Sequence, residues 1–240
     1  MKVCREGKKM DKASVRKCKT FYLCVCLQKF IASHKRHWMG IRKSLCRSAL
    51  WLLGWKIDPT RVPREHQCVI ALAPHTSNWD FLIAHLGYYA LYSHGNPRFL
   101  MKKEWFVFPL SVLFRKMGGI AVDRSRHTSK TDQVAQAIVE SRERGEDFRI
   151  AITPEGTRSA VVEWKKGFYY IAKKSGVPIQ LAYLDFKTKM VGITEEMMPT
   201  EDETKDLHYI KEYYRKHGDG AKKPKLFLRS EEHTSELQSR

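Results

Sequence analysis

The sequence predicts an α/β fold, a layered sheet flanked by helices and preceded by an amphipathic helix. Short apolar runs of strand length alternate with segments of 3.6-residue periodicity through most of the chain. Near the end, residues 185–189 form a tight polar connection between two strand-like runs, which predicts an antiparallel pair. The chain has 240 residues, 42% of them hydrophobic, so it can bury a core without disulfide or metal staples.

From Met39 the pattern is helical. Ile41, Leu45, Ala49, Leu52 and Trp55 share one face, with Trp51 beside them and Lys43 and Arg47 opposite. Gly54 and Asp58-Pro59 close this helix. Residues 68–73 read as a buried strand ended by Pro74. His75 to Asp80 form a polar turn, with Asn78 the expected cap of a helix running to about Ser93. A strand follows at 98–101, then a very apolar helix over 104–117 interrupted at Pro109. Gly118-Gly119 breaks it, and 120–122 is a short strand. Helix is expected over 131–144, strand over 148–152, and helix over 164–174 with Gly176 as its C-cap. Strands at 178–184 and 190–193 and a helix over 204–217 complete the body.

Charge and cysteine content divide the chain. The formal net charge is +18, but residues 1–38 hold 11 Lys/Arg against 2 Asp/Glu. The excess points to an acidic partner: nucleic acid, an anionic membrane surface or a phosphorylated substrate. Four of the six cysteines (Cys4, Cys18, Cys24, Cys26) also lie in 1–38. No CxxC pair exists, Cys24-Val25-Cys26 is too tight for a usual zinc pair, and no metal site is expected. This cysteine usage reads as a reducing compartment. Residues 1–38 lack the uninterrupted apolar core of a signal peptide and read as a basic extension upstream of a start at Met39. Residues 229–240 read, codon by codon, as a sequencing-library adapter and are set aside. The expected organisation is therefore 1–38 extension, 39–58 amphipathic membrane-facing helix, 59–228 main α/β domain and 229–240 adapter-derived tail. No apolar run approaches the ~20 residues that span a bilayer.

Three polar clusters sit where strand ends meet helix starts, the usual place for function in such sheets. In the first, His75 follows a strand and Asp80 opens a helix five residues on. The carboxylate can fold back on one ring nitrogen and leave the other as a base. Taken alone, the composition favours a capped helix start with an incidental histidine. Ser77 lies in the same turn but lacks a nucleophile elbow. The second cluster runs from Gly118 to Ser125 and ends a strand on Asp123-Arg124, where the arginine suits a phosphate or simply pairs with the aspartate. The third is Glu155-Gly156-Thr157-Arg158, in which Gly156 permits a tight turn, Arg158 is the expected partner of Glu155, and Arg158, Lys165 and Lys166 add positive charge. By itself it reads equally as a loop ion pair.

In this order and at these separations the clusters resemble the glycerolipid acyltransferases of the 1-acyl-sn-glycerol-3-phosphate acyltransferase (PlsC-type) kind. His75 and Asp80 match the family's H-x4-D motif. Gly119 to Arg124 looks like its second motif, whose arginine contacts the acceptor phosphate. Glu155-Gly156-Thr157-Arg158 is similar to its E-G-T-R block, and Val177-Pro178-Ile179 to its V-P-[IV] step. Lys166-Gly167 sits where the family often has a Lys-Gly pair. The resemblance covers about 40–228. Many members carry an N-terminal membrane hairpin, whereas this body has the single amphipathic stretch 39–56. Trp79 and Phe81 suggest a smaller subgroup, whose relatives acylate other lysolipids or hydroxylated amino-acid lipids.

The resemblance implies a PlsC-type acyltransferase fold and acyl transfer from acyl-CoA or acyl carrier protein to a lysolipid hydroxyl, foremost 1-acyl-sn-glycerol 3-phosphate, in phospholipid biosynthesis. No cofactor beyond the acyl donor is implied. His75 would be the general base and Asp80 its holder. Arg124 and Arg158 would bind phosphate, with Glu155, Gly156 and Thr157 in the substrate site and the turn's amides near the oxyanion. The apolar stretch 105–114 would line an acyl pocket or simply pack in the core. The implied partners are the lysolipid, the acyl donor and an anionic membrane surface, with the enzyme peripheral on the cytoplasmic face. Two other classes stay open. A basic nucleic-acid-binding protein lacks support from zinc spacing, an RNP-like strand or a helix-turn-helix. A catalytically inactive lipid-binding scaffold has no need of His75 with Asp80.

Overall fold

The computed structural model describes residues 40–60, 65–92, 95–102, 104, 106–108, 110–122, 130–159 and 163–223. The chain divides into two units, Met1–Arg42 and Lys43–Arg240, and the sheet belongs to the second. Arg124 and the segments 1–38 and 229–240 lie outside the described residues.

Helix α1 covers 40–52 and ends at Gly54, whose φ of +75° suits glycine. Then follow β1 (Lys56–Ile57), β2 (Gln67–Leu72), α2 (Asn78–Leu91), β3 (Pro97–Lys102), α3 (Leu110–Lys116), β4 (Gly119–Val122) and α4 (Lys130–Glu143). After these come β5 (Phe148–Ile152), α5 (Gly167–Ser175), β6 (Ile179–Asp185), β7 (Met190–Met197), α6 (Glu203–His217) and a 3-10 turn (Gly218–Gly220). The alternation read from the sequence is the alternation observed. Four local expectations are corrected. Ser77, not Asn78, caps α2. α3 begins at Leu110, because Pro109 cannot continue a helix that precedes it. The helix expected over 39–58 stops at 52, before the two-residue β1, and Trp55, expected on its membrane-facing side, is buried in the core. β7 runs on to Met197 through Glu195 and Glu196, charged residues that lie on a half-exposed part of the strand.

The seven strands form one sheet in the order β1-β7-β6-β2-β5-β3-β4. β6, β2, β5, β3 and β4 pair in parallel, while β7 runs antiparallel to β6 and carries β1 at the edge. Side chains of β2 alternate between two cores. Val69 and Ala71 join Ile138, Ile150, Phe168, Ile171 and Tyr214 on the face of α4, α5 and α6. Cys68, Ile70 and Leu72 join Leu50, Trp55, Ile83 and Tyr88 on the face of α1 and α2. The crossover from β3 to β4 puts α3 on that second face as well: a Cβ on Gly119 would meet the Phe114 carbonyl oxygen, while Ile120, next in β4, packs on the first core. Gly118 lets this crossover close: a Cβ there would sit 2.0 Å from the Pro97 carbonyl oxygen, at a φ of +96°.

Neighbouring strands β2 and β5 send their chains to opposite faces, β2 into α2 and β5 into α5. The crevice beyond their C-terminal ends is a topological switch point, where open α/β sheets bind ligands. Among the described residues no helix is long and apolar enough to cross a membrane.

Candidate active site

The register pairs Ala71 with Ile152, so the loops leaving β2 and β5 start level with each other. The β2 loop passes through the cis Ala73–Pro74 bond and delivers His75 to the crevice. Ser77 then caps α2: its hydroxyl accepts from Trp79 N at 3.2 Å, and Asp80 returns to the Ser77 amide at 2.7 Å in a capping box. This box fixes where the Asp80 carboxylate points. Its Oδ2 also accepts from Thr76 N at 2.7 Å and lies 3.1 Å from His75 Nδ1. An oxygen that already accepts two amide protons is an acceptor for the ring too, so Nδ1 carries the imidazole proton and Nε2 keeps a lone pair. Asp80 is fully buried, whereas His75 retains access to the cleft.

Glu155 supplies the second restraint. Both its oxygens accept from the His75 backbone amide, at 3.1 and 3.0 Å, from a buried position. The ion pair expected between Glu155 and Arg158 does not form. Arg158 reaches instead to Asn78 Oδ1 at the start of α2. The carboxylate is satisfied across the crevice because the β5 loop turns back at Gly156 (φ +64°), whose amide donates to Thr153 O at 3.0 Å. The Lys165 side chain lies over this turn, so close that a Cβ on Gly156 would meet its Cδ at 2.8 Å. Lys223 N donates to Thr76 Oγ1 at 3.1 Å, tying the region after α6 to the same loop.

A cleft of about 800 Å³ opens from this point, within the usual range of small-molecule sites. His75, Asn78, Gly156, Thr157, Arg158 and Lys165 form its polar part, and Phe81, Phe99, Leu100, Phe114, Ile120 and Phe168 much of its apolar part. At one end it reaches Tyr183, whose hydroxyl donates to Asp58 at 2.6 Å. Burial pushes the Asp58 carboxyl up, but hydrogen bonds from Thr60 and Tyr183 outweigh it and hold it below the usual carboxylate range. Of the apolar stretch 105–114, only Phe114 is among the described lining residues; Val107, Phe108, Val112 and Leu113 are exposed.

His75, Asp80, Glu155, Gly156, Thr157 and Arg158 thus converge on one crevice from two loops, while Arg124 falls outside the described residues. Sequence reasoning missed the part played by three residues, one of which, Lys165, it counted only as positive charge. Asn78, read as a cap, holds Arg158. Thr76 donates its amide to Asp80, and its hydroxyl oxygen accepts from the Lys223 amide. Lys165 covers the Gly156 turn. None has a motif of its own, but each lies within three residues of a charged motif position or of the Lys166-Gly167 pair that starts α5. Among the described residues no group of three or more His, Cys, Asp or Glu side chains is arranged to hold a metal.

No curated protein gives a significant match to the sequence. A family model described as Acyltransferase matches residues 56–183, from β1 through most of β6 and more than half of the chain. That span contains the crevice loops after both β2 and β5, and on it the chain belongs to the acyltransferase family, that of the PlsC-type domain.

Proposed function

We propose that this acyltransferase moves a fatty acyl chain from acyl-CoA or acyl carrier protein to the hydroxyl of a lysolipid, 1-acyl-sn-glycerol 3-phosphate, in phospholipid biosynthesis. The observation that carries the reading is the buried Asp80 on His75 Nδ1, with Arg158 in the same cleft. His75 Nε2 takes the proton of the acceptor hydroxyl as its oxygen attacks the thioester carbonyl carbon. The new C–O bond gives a tetrahedral oxyanion. Collapse breaks the C–S bond, and the imidazolium returns the proton to the departing thiolate. Asp80 holds the ring in one tautomer and steadies the imidazolium. No acyl-enzyme is needed, because the thioester is already activated.

The oxyanion needs donors held in place beforehand. Since the Gly156 amide is given to Thr153 O, we assign the contact to the Thr157 amide, next along the turn. Arg158 takes the acceptor phosphate, exchanging the neutral Asn78 oxygen for a charged one. Arg124 is assigned to the same phosphate on the motif alone. The apolar part of the cleft takes the acyl chain. A lipid acceptor requires access to a bilayer, and α1 suits an interfacial position: Leu45, Trp51 and Leu52 are exposed, with Lys43 and Arg47 in the same helix. This reading puts the enzyme peripherally on the cytoplasmic face of the membrane.

The test is the purified full chain offered a panel of lysolipids with acyl-CoA or acyl carrier protein, with products read by mass spectrometry. Acylation of phosphate-bearing lysolipids is expected. Acylation confined to amino-acid lipids would overturn the phosphate assignment.

A further inference from the structure

The segment between β3 and β4 presents two opposite faces. Phe106 and Phe114 approach each other, ring centroids 6.2 Å apart, and Phe114 closes the cleft. Val107, Phe108, Val112 and Leu113 point the other way and are exposed, Phe108 by 86%. An apolar cluster left in water at one site marks an interaction surface more often than chance. Beside it, Arg115 and Lys116, three and four residues after Val112, are exposed in the last turn of α3.

We propose that Val107, Phe108, Val112 and Leu113 form a second contact with an anionic lipid surface, at the opposite edge of the sheet from α1. β4, which follows α3, is the last strand at one edge; β1, which follows α1, is the last at the other. Seven strands at ~4.8 Å spacing set these edges about 29 Å apart. Both segments lie on the same face of the sheet, and both combine exposed apolar side chains with a basic surplus; 43–56 has three Lys/Arg and no acid. Between them stands the start of α2, which exposes Trp79 and Leu82 beside His75. Two contacts flanking the cleft mouth fix its orientation toward the bilayer, where a single helix would leave the body free to tilt. The occupant is a lipid surface rather than a second copy, because a two-fold contact would bring two basic α3 ends to one interface, and 106–116 contain no acidic residue to pair them. Phospholipid headgroups complement that charge.

The proposal rests on the lipid-acceptor reading only for its purpose, and its test needs no turnover of lipid. The full chain is sedimented with phosphatidylcholine vesicles with and without phosphatidylglycerol. V107S/F108S and, separately, V112Q/L113Q should each weaken partitioning about tenfold or more, as expected for withdrawing large apolar side chains from an interface. Circular dichroism and turnover of a short-chain soluble acceptor should stay at the wild-type level, since none of the four residues lines the cleft. R115Q/K116Q should weaken binding several-fold, and only to vesicles with phosphatidylglycerol. L45E/L52E separates this proposal from the reading of α1. If only L45E/L52E loses binding while both 106–113 variants bind like wild type, the second contact is refuted. If the 106–113 variants lose binding and L45E/L52E does not, the second contact stands and the role of α1 falls. Altered oligomeric state in the 106–113 variants with unchanged partitioning would make the patch a contact between copies and overturn the proposal.

Discussion

Two histidine–aspartate pairs stand at opposite ends of the same two strands. His75 and Asp80 follow β2; His66 and Asp147 directly precede β2 and β5. The second pair is the closer, at 2.5 Å against 3.1 Å. Yet its side chains are 65% and 17% exposed, against 20% and 1% for the first. Asp147 is shared with the buried Arg149 guanidinium at 3.2 Å, whereas Asp80 receives two backbone amides that aim it at the ring. Distance is therefore not what marks His75 as the proposed base. The distinguishing features are a buried acceptor fixed by the backbone and a second ring nitrogen facing a cleft. The lower end of the strands serves packing instead. There Arg149 donates to Glu65 O at 2.7 Å and lies over the Tyr92 ring at 4.7 Å. Burial pushes the Tyr88 phenol, beside the same guanidinium, up to about 12.

The comparison can be broken at either end. The largest effect is expected from Asp80→Asn, which keeps an acceptor for the Thr76 and Ser77 amides but favours the wrong tautomer of His75. Transfer should slow by about 10³–10⁴, with the melting temperature little changed. A rate within a few-fold of wild type would remove the tautomer argument. At the other end, Arg149→Met should act on stability and not on the rate per folded molecule. Withdrawing a fully buried guanidinium from Asp147 and Tyr88 should cost about 3 kcal/mol in urea unfolding. A slower enzyme of normal stability would show the lower cluster to be coupled to catalysis.

Arg158→Ala should raise the KM for a phosphate-bearing acceptor about 10-fold to 100-fold, as for loss of a charged hydrogen bond, and Arg158→Lys should rescue poorly. Unchanged acceptor kinetics would mean that the arginine only braces Asn78. The smallest effect belongs to His66→Gln: below about 1 kcal/mol in stability and none on rate, because an exposed pair is screened by solvent.

Much of this was legible before the structure. Strand runs such as 148–152 coincide with the observed element because a central strand is buried on both faces; its one charged side chain, Arg149, is buried against Asp147 and the Tyr92 ring. His75 and Asp80 were readable as a pair because the five-residue interval lies within one strand–turn–helix unit. The partner of Glu155 was not. It lies across the crevice on the His75 amide, 80 residues away, and only the β2–β5 register brings them together. Arg158, three residues along, was the natural guess from local spacing and was wrong for the same reason. The faces of α1 and α3 were also beyond periodicity alone. A 3.6-residue pattern finds an apolar stripe but does not say whether protein covers it; in α1, Leu50 is buried while Leu45 and Leu52 are exposed.

The most direct test sets the two histidines side by side in the full chain: His75→Ala and His66→Ala, each checked for folding by circular dichroism, with acyl transfer from a thioester donor followed in single turnover. The account predicts a loss of about 10²–10⁴ in the first and wild-type transfer in the second. Near-full activity in His75→Ala, or an equal loss in both variants, would contradict it.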